Sequence, residues 1–170
     1  MIWNLDTLAA HPRKVFAAMA ALCVGLLAFG LYLQHVVGLE PCPMCIVQRY
    51  ALFAVALFSL LGVFMPGRTT RGVLALLVVL MSGFGAFVAA RQSWLQWNPP
   101  EVLTCGRDLY GMIESFPLKR AIPMIFRGSG DCTAIDWTFL GGSIANWSFV
   151  WFVAFGLAML WLLVRAMRRA

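Results

Sequence analysis

Charged side chains are scarce in this chain, and four long stretches have none at all. Asp, Glu, Lys and Arg supply 12% of its 170 residues, about half the share in an ordinary globular protein. None of the four occurs in residues 15–39, 50–67, 72–90 or 137–164, runs of 25, 18, 19 and 28 residues. Apolar residues reach 62%, well above the roughly 45–50% of a soluble domain. Each run attains the roughly 17–25 residues that a helix needs to cross a hydrocarbon core. This composition excludes a soluble enzyme. It also excludes a nucleic-acid binder, which the net charge of +6 would otherwise suit, because the basic residues sit at the ends of the apolar runs. Internal repeats, low-complexity tracts and soluble-domain linkers are lacking as well. The first run follows Arg13 and Lys14 as a signal peptide would, but its 25 residues exceed a signal core of about 7–15, so a retained helix is expected.

The runs predict one all-α membrane domain over residues 1–170, a compact bundle of four transmembrane helices at roughly 15–34, 45–65, 72–90 and 144–164. Each helix satisfies its own backbone hydrogen bonds, as lipid demands. Arg13, Lys14, Arg68, Arg71, Arg165, Arg168 and Arg169 crowd the short segments on one side. The other side has a short loop near 35–44 and a long one near 91–143, where five cations are balanced by five acids. Lys and Arg concentrate on the cytoplasmic face, so both termini are expected there and both loops outside. Trp94 and Trp97 at the third span, and Trp147, Trp151 and Trp161 in the fourth, suit an interfacial, lipid-anchoring belt. Ser82, Gly83, Gly85 and Ala86 give the third helix a small-residue surface for close packing.

Five cysteines remain. Cys42 and Cys45 form a Cys-Pro-Met-Cys motif at the outer start of the second span, Cys105 and Cys132 lie in the long outer loop, and Cys23 sits within the first span. Four therefore fall on the side where disulfides persist. They admit a structural framework of two disulfides, with three possible pairings, or a catalytic exchange centre, for which a C-x-x-C pair with its lowered thiol pKa is suited. A zinc site fits poorly, since 26 residues separate the second pair, and no metal is expected. Cys45 would occupy the first turn of the second helix, where unpaired N–H groups and the positive dipole end favour an anion. Arg49 follows on the same face. A cation there opposes the dipole, which leaves two readings: an arginine snorkelling to headgroups, or one that stabilises a Cys45 thiolate or a charged acceptor beside it. Cys23 reads as a small apolar filler. Residues 118–126, with Lys119 and Arg120, fit an interfacial segment, a solvated loop or a partner-docking site.

At these residues the chain resembles the bacterial disulfide-bond formation protein B family, DsbB. The resemblance is carried by Gln34 and His35, then Leu39-Glu40-Pro41-Cys42-Pro43-Met44-Cys45-Ile46-Val47-Gln48-Arg49. It continues through Pro123, Phe126, Ser129-Gly130-Asp131-Cys132 and Trp137 with Phe139-Leu140-Gly141. It extends over essentially the whole chain, with the four spans and four outer cysteines in place. The resemblance implies a thiol:quinone oxidoreductase of the bacterial inner membrane, with its active-site loops periplasmic. Such an enzyme makes disulfides de novo by reoxidising a periplasmic thioredoxin-fold oxidase, DsbA-like, and passes the electrons to a membrane quinone, ubiquinone or menaquinone. It further implies redox-active pairs Cys42–Cys45 and Cys105–Cys132. In that scheme Cys105 forms the mixed disulfide with the partner, Cys132 exchanges with Cys42, and Cys45 faces the quinone beside Arg49. Family members often carry a histidine where this chain has Gln92. Glutamine donates a hydrogen bond but cannot relay a proton near neutral pH, so Gln92 is expected on the cofactor side as a hydrogen-bonding residue only. His35 lies near the same depth, where a local structural hydrogen bond is the favoured role, and His11 is on the opposite side. Two rivals stand beside this reading. One is a vitamin K epoxide reductase-like quinone reductase, whose C-x-x-C lies late in the chain. The other is a tetraspan protein with inert disulfides.

Overall fold

The computed structural model describes residues 11–99 and 133–168. They form helices α1 (Pro12–His35), α2 (Pro43–Phe64), α3 (Arg68–Trp97) and α4 (Ile144–Arg168), with a short hairpin, β1 (Thr138–Phe139) and β2 (Gly142–Ser143), immediately before α4. All four helices are long and apolar enough to cross a membrane. Even α2, with 22 residues, spans about 33 Å at about 1.5 Å per residue. The expected four-helix membrane bundle is thus present. Cys105, Cys132 and residues 118–126 lie outside the described residues.

Local chemistry sets the helix ends. Proline opens both α1 and α2, where its missing N–H removes a donor that would have gone unpaired. Before α4, the Ser143 hydroxyl accepts from the Asn146 N–H at 3.4 Å. At the C-terminal end of α3, Asn98 bonds the Trp94 carbonyl through its backbone N–H at 2.9 Å and its side chain at 3.2 Å. Pro99 then follows, and the residue before a proline disfavours the helical region.

One boundary differs from the sequence expectation. The third helix does not stop near 90 to begin an outer loop at 91. It continues to Trp97, and Gln92, Ser93 and Leu95 are buried in its last turns. The charge-free run ends at Arg91, whereas the helix continues past that charge, and its Val88 and Leu95 pack with Cys42 and Met44 at the start of α2.

Neighbouring helices pack in chain order, α1 on α2, α2 on α3 and α3 most extensively on α4, while α1 and α4 make little backbone contact. The half of the bundle at the α2–α3 connection is filled by a core containing Phe16, Met19 and Cys23 of α1, Val55 of α2, Val78 of α3, and Phe155 and Met159 of α4. Cys23 is fully buried there, as an apolar filler would be. Of the small residues on α3, Ser82 and Gly85 face the bundle and Gly83 faces outward. A Cβ on Gly85 would fall 2.4 Å from the Phe152 ring, so the helices meet there only because it is glycine. The opposite half, toward the hairpin, is less tightly filled. A cavity opens between α1, α2, α3 and α4 under the hairpin.

Candidate active site

The site is built on the start of α2. Cys42 is the N-cap, in extended conformation, and its sulfur accepts the Cys45 backbone N–H at 3.2 Å. Sulfur fills the position usually taken by a Ser, Thr, Asp or Asn oxygen. Capping folds the Cys42 side chain back over the first turn and leaves its sulfur 2.7 Å from that of Cys45. A disulfide of about 2.05 Å can close from there with little movement of the chain. Cys45 keeps the first-turn position the sequence predicted, within the field of the helix N-terminus.

Gln92 reaches the pair from α3. Its side-chain NH₂ donates to Cys42 Sγ at 3.3 Å and to Cys45 Sγ at 3.3 Å. Its oxygen accepts from Gln48 Nε2 at 2.7 Å and stands 3.7 Å from Cys45 Sγ. Both glutamines are buried. The position lacking histidine is therefore occupied by a side chain in direct contact with both sulfurs.

Arg49, one turn beyond Cys45, is half-buried and turns toward α1. Nη1 donates to the Gln34 side-chain oxygen and Nη2 to the Gly30 carbonyl, the latter at 3.0 Å. The guanidinium is thus held by protein acceptors, which weakens the headgroup-anchor reading.

Cys42, Cys45, Arg49 and Gln92 all line the same cavity, of about 630 Å³, within the usual range of small-molecule sites. One wall carries these polar groups, and Leu26, Phe29, Leu33, Leu52, Trp151 and Phe152 make the rest predominantly apolar. Trp147 and Trp151 also line it, so they differ from the lipid-facing role expected of them. The Trp147 ring N–H is taken by the Phe139 carbonyl at 2.9 Å. Trp94 and Trp97, by contrast, are exposed on the outer surface of α3, as interfacial anchors are. His35 is exposed and does not line the cavity, and His11 is exposed at the opposite end of α1.

The chain after Cys132 roofs the site. Ala134, Ile135, Asp136 and Trp137 line the cavity, and the Trp137 ring meets Phe29 edge-on with centroids 5.8 Å apart. Gln96 secures this roof to α3, its NH₂ reaching the Ala134 carbonyl at 3.5 Å and its oxygen accepting from Ser143 Oγ at 2.6 Å. Gln48 and Gln96 are the site residues that sequence reasoning passed over. A signal for Gln48 exists: it is a polar residue three positions after Cys45, so on the same helical face. Gln96 has no comparable local signal.

Comparison with known proteins gives a consistent result. Residues 12–162 match the family of disulfide bond formation protein DsbB. The chain is 71% identical over 164 residues to disulfide bond formation protein B of Paracidovorax citrulli, covering 95% of this chain and 92% of the relative. It is 66% identical over 162 residues to the protein of that name from an Acidovorax species, covering 94% and 91%. With that from Verminephrobacter eiseniae it shares 61% over 174 residues, covering 100% and 95%.

Proposed function

The chain belongs to the DsbB family of disulfide bond formation proteins, and from that membership we propose that it generates disulfides de novo, reoxidising a periplasmic thioredoxin-fold oxidase of the DsbA type at the expense of a membrane quinone. The observation that carries this reading is the placement of the Cys42–Cys45 sulfurs in the wall of an apolar cavity beside a held guanidinium. An inert structural disulfide needs no cavity. A lipid-soluble electron acceptor does, and α1 and α4, with little backbone contact between them, offer it an entrance from the bilayer.

The electron path runs through two pairs. A thiolate of the reduced partner attacks Cys105 and forms a mixed disulfide, releasing the Cys132 thiolate. The partner's second thiol then resolves that bond and leaves oxidised. Cys132 attacks Cys42 of the Cys42–Cys45 disulfide and sets Cys45 free as a thiolate. Cys105 then displaces Cys42 from Cys132, which restores the Cys105–Cys132 disulfide and leaves Cys42 and Cys45 reduced for reoxidation. Two electrons and two protons leave the partner for each disulfide delivered. Bound quinone supplies the sink for both. Arg49 and the N-terminus of α2 favour the anionic form of Cys45, and Arg49 also offers N–H donors to a quinone oxygen. Gln92 donates to the sulfurs without exchanging a proton. The cation distribution supports cytoplasmic termini and periplasmic loops in the inner membrane.

Anaerobic mixing of the purified chain with a reduced thioredoxin-fold oxidase and a short-chain quinone tests the reading. Catalytic loss of the oxidised quinone's absorbance, matched one to one by oxidised partner, is the expected result. Oxidation limited to a single turnover of the chain's own cysteines would refute it.

A further inference from the structure

The Gln92 amide could face the sulfurs in either of two ways, presenting its NH₂ group or its carbonyl. Only the first favours an anion on sulfur. Gln48 decides between them. Its NH₂ donates to Gln92 Oε1 at 2.7 Å, which holds the amide with its NH₂ 3.3 Å from both Cys42 Sγ and Cys45 Sγ and its oxygen farther off, 3.7 Å from Cys45 Sγ. Two buried glutamines from different helices are thereby joined in series to the sulfurs. A buried side-chain amide with an unmet partner is expensive, so the pair resists rotation of either group.

We propose that Gln48 is a positioning residue of the exchange centre: by fixing the Gln92 amide it holds a neutral double N–H donor against Cys42 and Cys45, which stabilises a sulfur anion and does not itself titrate. The donor bridges both sulfurs, so it serves the Cys45 thiolate when Cys42 is engaged elsewhere and bridges the disulfide when the pair is closed. The proposal rests on the reading of Cys45 as the thiolate of the centre. Glu40, Arg49 and Asp136 also line the cavity and act on the same anion. They are common to every variant below, so their contribution cancels in the comparison.

The test uses the full-length chain carrying Cys42→Ser, which strands Cys45 and keeps a favoured N-cap residue. The pH dependence of Cys45 alkylation by iodoacetamide, read on its own peptide by mass spectrometry, gives the thiolate midpoint. Gln48→Met, close to glutamine in shape, is expected to raise this midpoint by about one pH unit, a tenfold loss of thiolate at a given pH below it. In a Gln92→Met background the same substitution is expected to do almost nothing, because Gln48 acts through Gln92. Gln48→Glu provides a second, isosteric route. Once ionised it only accepts, so it draws the Gln92 NH₂ toward itself and turns the carbonyl to the sulfurs. It should therefore raise the midpoint further with Gln92 present than in the Gln92→Met background. A rise of equal size in both backgrounds, or no rise in either, overturns the proposal. Alkylation needs neither quinone nor partner, so failure of this coupling is separable from failure of the proposed reaction.

Discussion

Arg49 Nη2 donates at 3.0 Å to the backbone carbonyl of Gly30, and the guanidinium covers the glycine so closely that a Cβ there would lie 3.6 Å from Nε. An arginine that would otherwise reach for headgroups is thereby held at the cavity. Substitution at Gly30 should then act as substitution at Arg49 does. Gly30→Ala places its Cβ at ordinary contact distance and should leave quinone affinity within about twofold. Gly30→Leu should displace the guanidinium and weaken binding roughly tenfold, as expected from losing a charge-assisted bond of about 1.5–3 kcal/mol. Arg49→Gln should do at least as much, with Arg49→Lys between, since it keeps charge without the planar fork. Quenching of Trp137, Trp147 and Trp151 fluorescence, all at the cavity, gives the affinity. Wild-type affinity in Arg49→Gln would return the residue to a purely structural role.

Serine at Cys42, Cys45, Cys105 or Cys132 should abolish turnover with the reduced partner, because each completes one of the two disulfides of the proposed path. Cys23→Ala, in the core, should keep nearly full activity and lose only stability. Cys105→Ser should still let quinone reoxidise the reduced Cys42–Cys45 pair, measured by quinone absorbance in a single turnover. Loss of that half-reaction as well would contradict a two-stage relay.

Close packing predicts a contrast two residues apart on α3. A Cβ at Gly85 would lie 2.4 Å from the Phe152 ring, whereas one at Gly83 meets nothing within 4 Å. Gly85→Ala should cost about 1–3 kcal/mol through overpacking, seen as a lower thermal midpoint in detergent. Gly83→Ala should be neutral or stabilising by up to about 1 kcal/mol, the helix-propensity gain. Adding Phe152→Leu to Gly85→Ala should recover part of the loss. Equal midpoints for the two alanine variants would mean that α3 and α4 do not meet at this register.

The proposed topology is checked in intact cells. After reduction, a membrane-impermeant thiol reagent added from outside, with the outer membrane permeabilised, should label Cys105 and Cys132. A reporter fused to either terminus should be active only if it works in the cytoplasm. Labelling of the loop cysteines from the cytoplasmic side alone would invert the orientation and remove the route to a periplasmic partner.

Much of the architecture was legible without coordinates. Whether a stretch such as 72–90 can cross a bilayer depends on that stretch alone, because lipid taxes every charge locally and leaves each helix to satisfy its own backbone. The Cys-Pro-Met-Cys motif was equally local: a cap, a first-turn proline and a thiol three residues on are all set by neighbours in sequence. Arg49 fell on the face of Cys45 by helical spacing alone.

Where α3 ends was less legible, because Gln92 and Ser93 are polar side chains that hydropathy places outside a span, yet both are buried within the helix. Trp147 and Trp151 illustrate the same limit. Their composition suits an interface, but the rotation of α4 about its axis turns them to the cavity, in the same packing that sets Phe152 against Gly85.

From sequence alone came the four apolar crossings and the Cys-Pro-Met-Cys pair at the start of the second, consequences of short-range chemistry; that these thiols react is what the family resemblance implies. Tertiary structure decided what those thiols touch. Gln48 and Gln92 are 44 residues apart, and Cys45 and Gln92 are 47 apart. No periodicity links such positions. They meet because α2 and α3 pack in one register and one rotation, and only that packing joins a glutamine pair to the sulfurs and leaves the space beside them open.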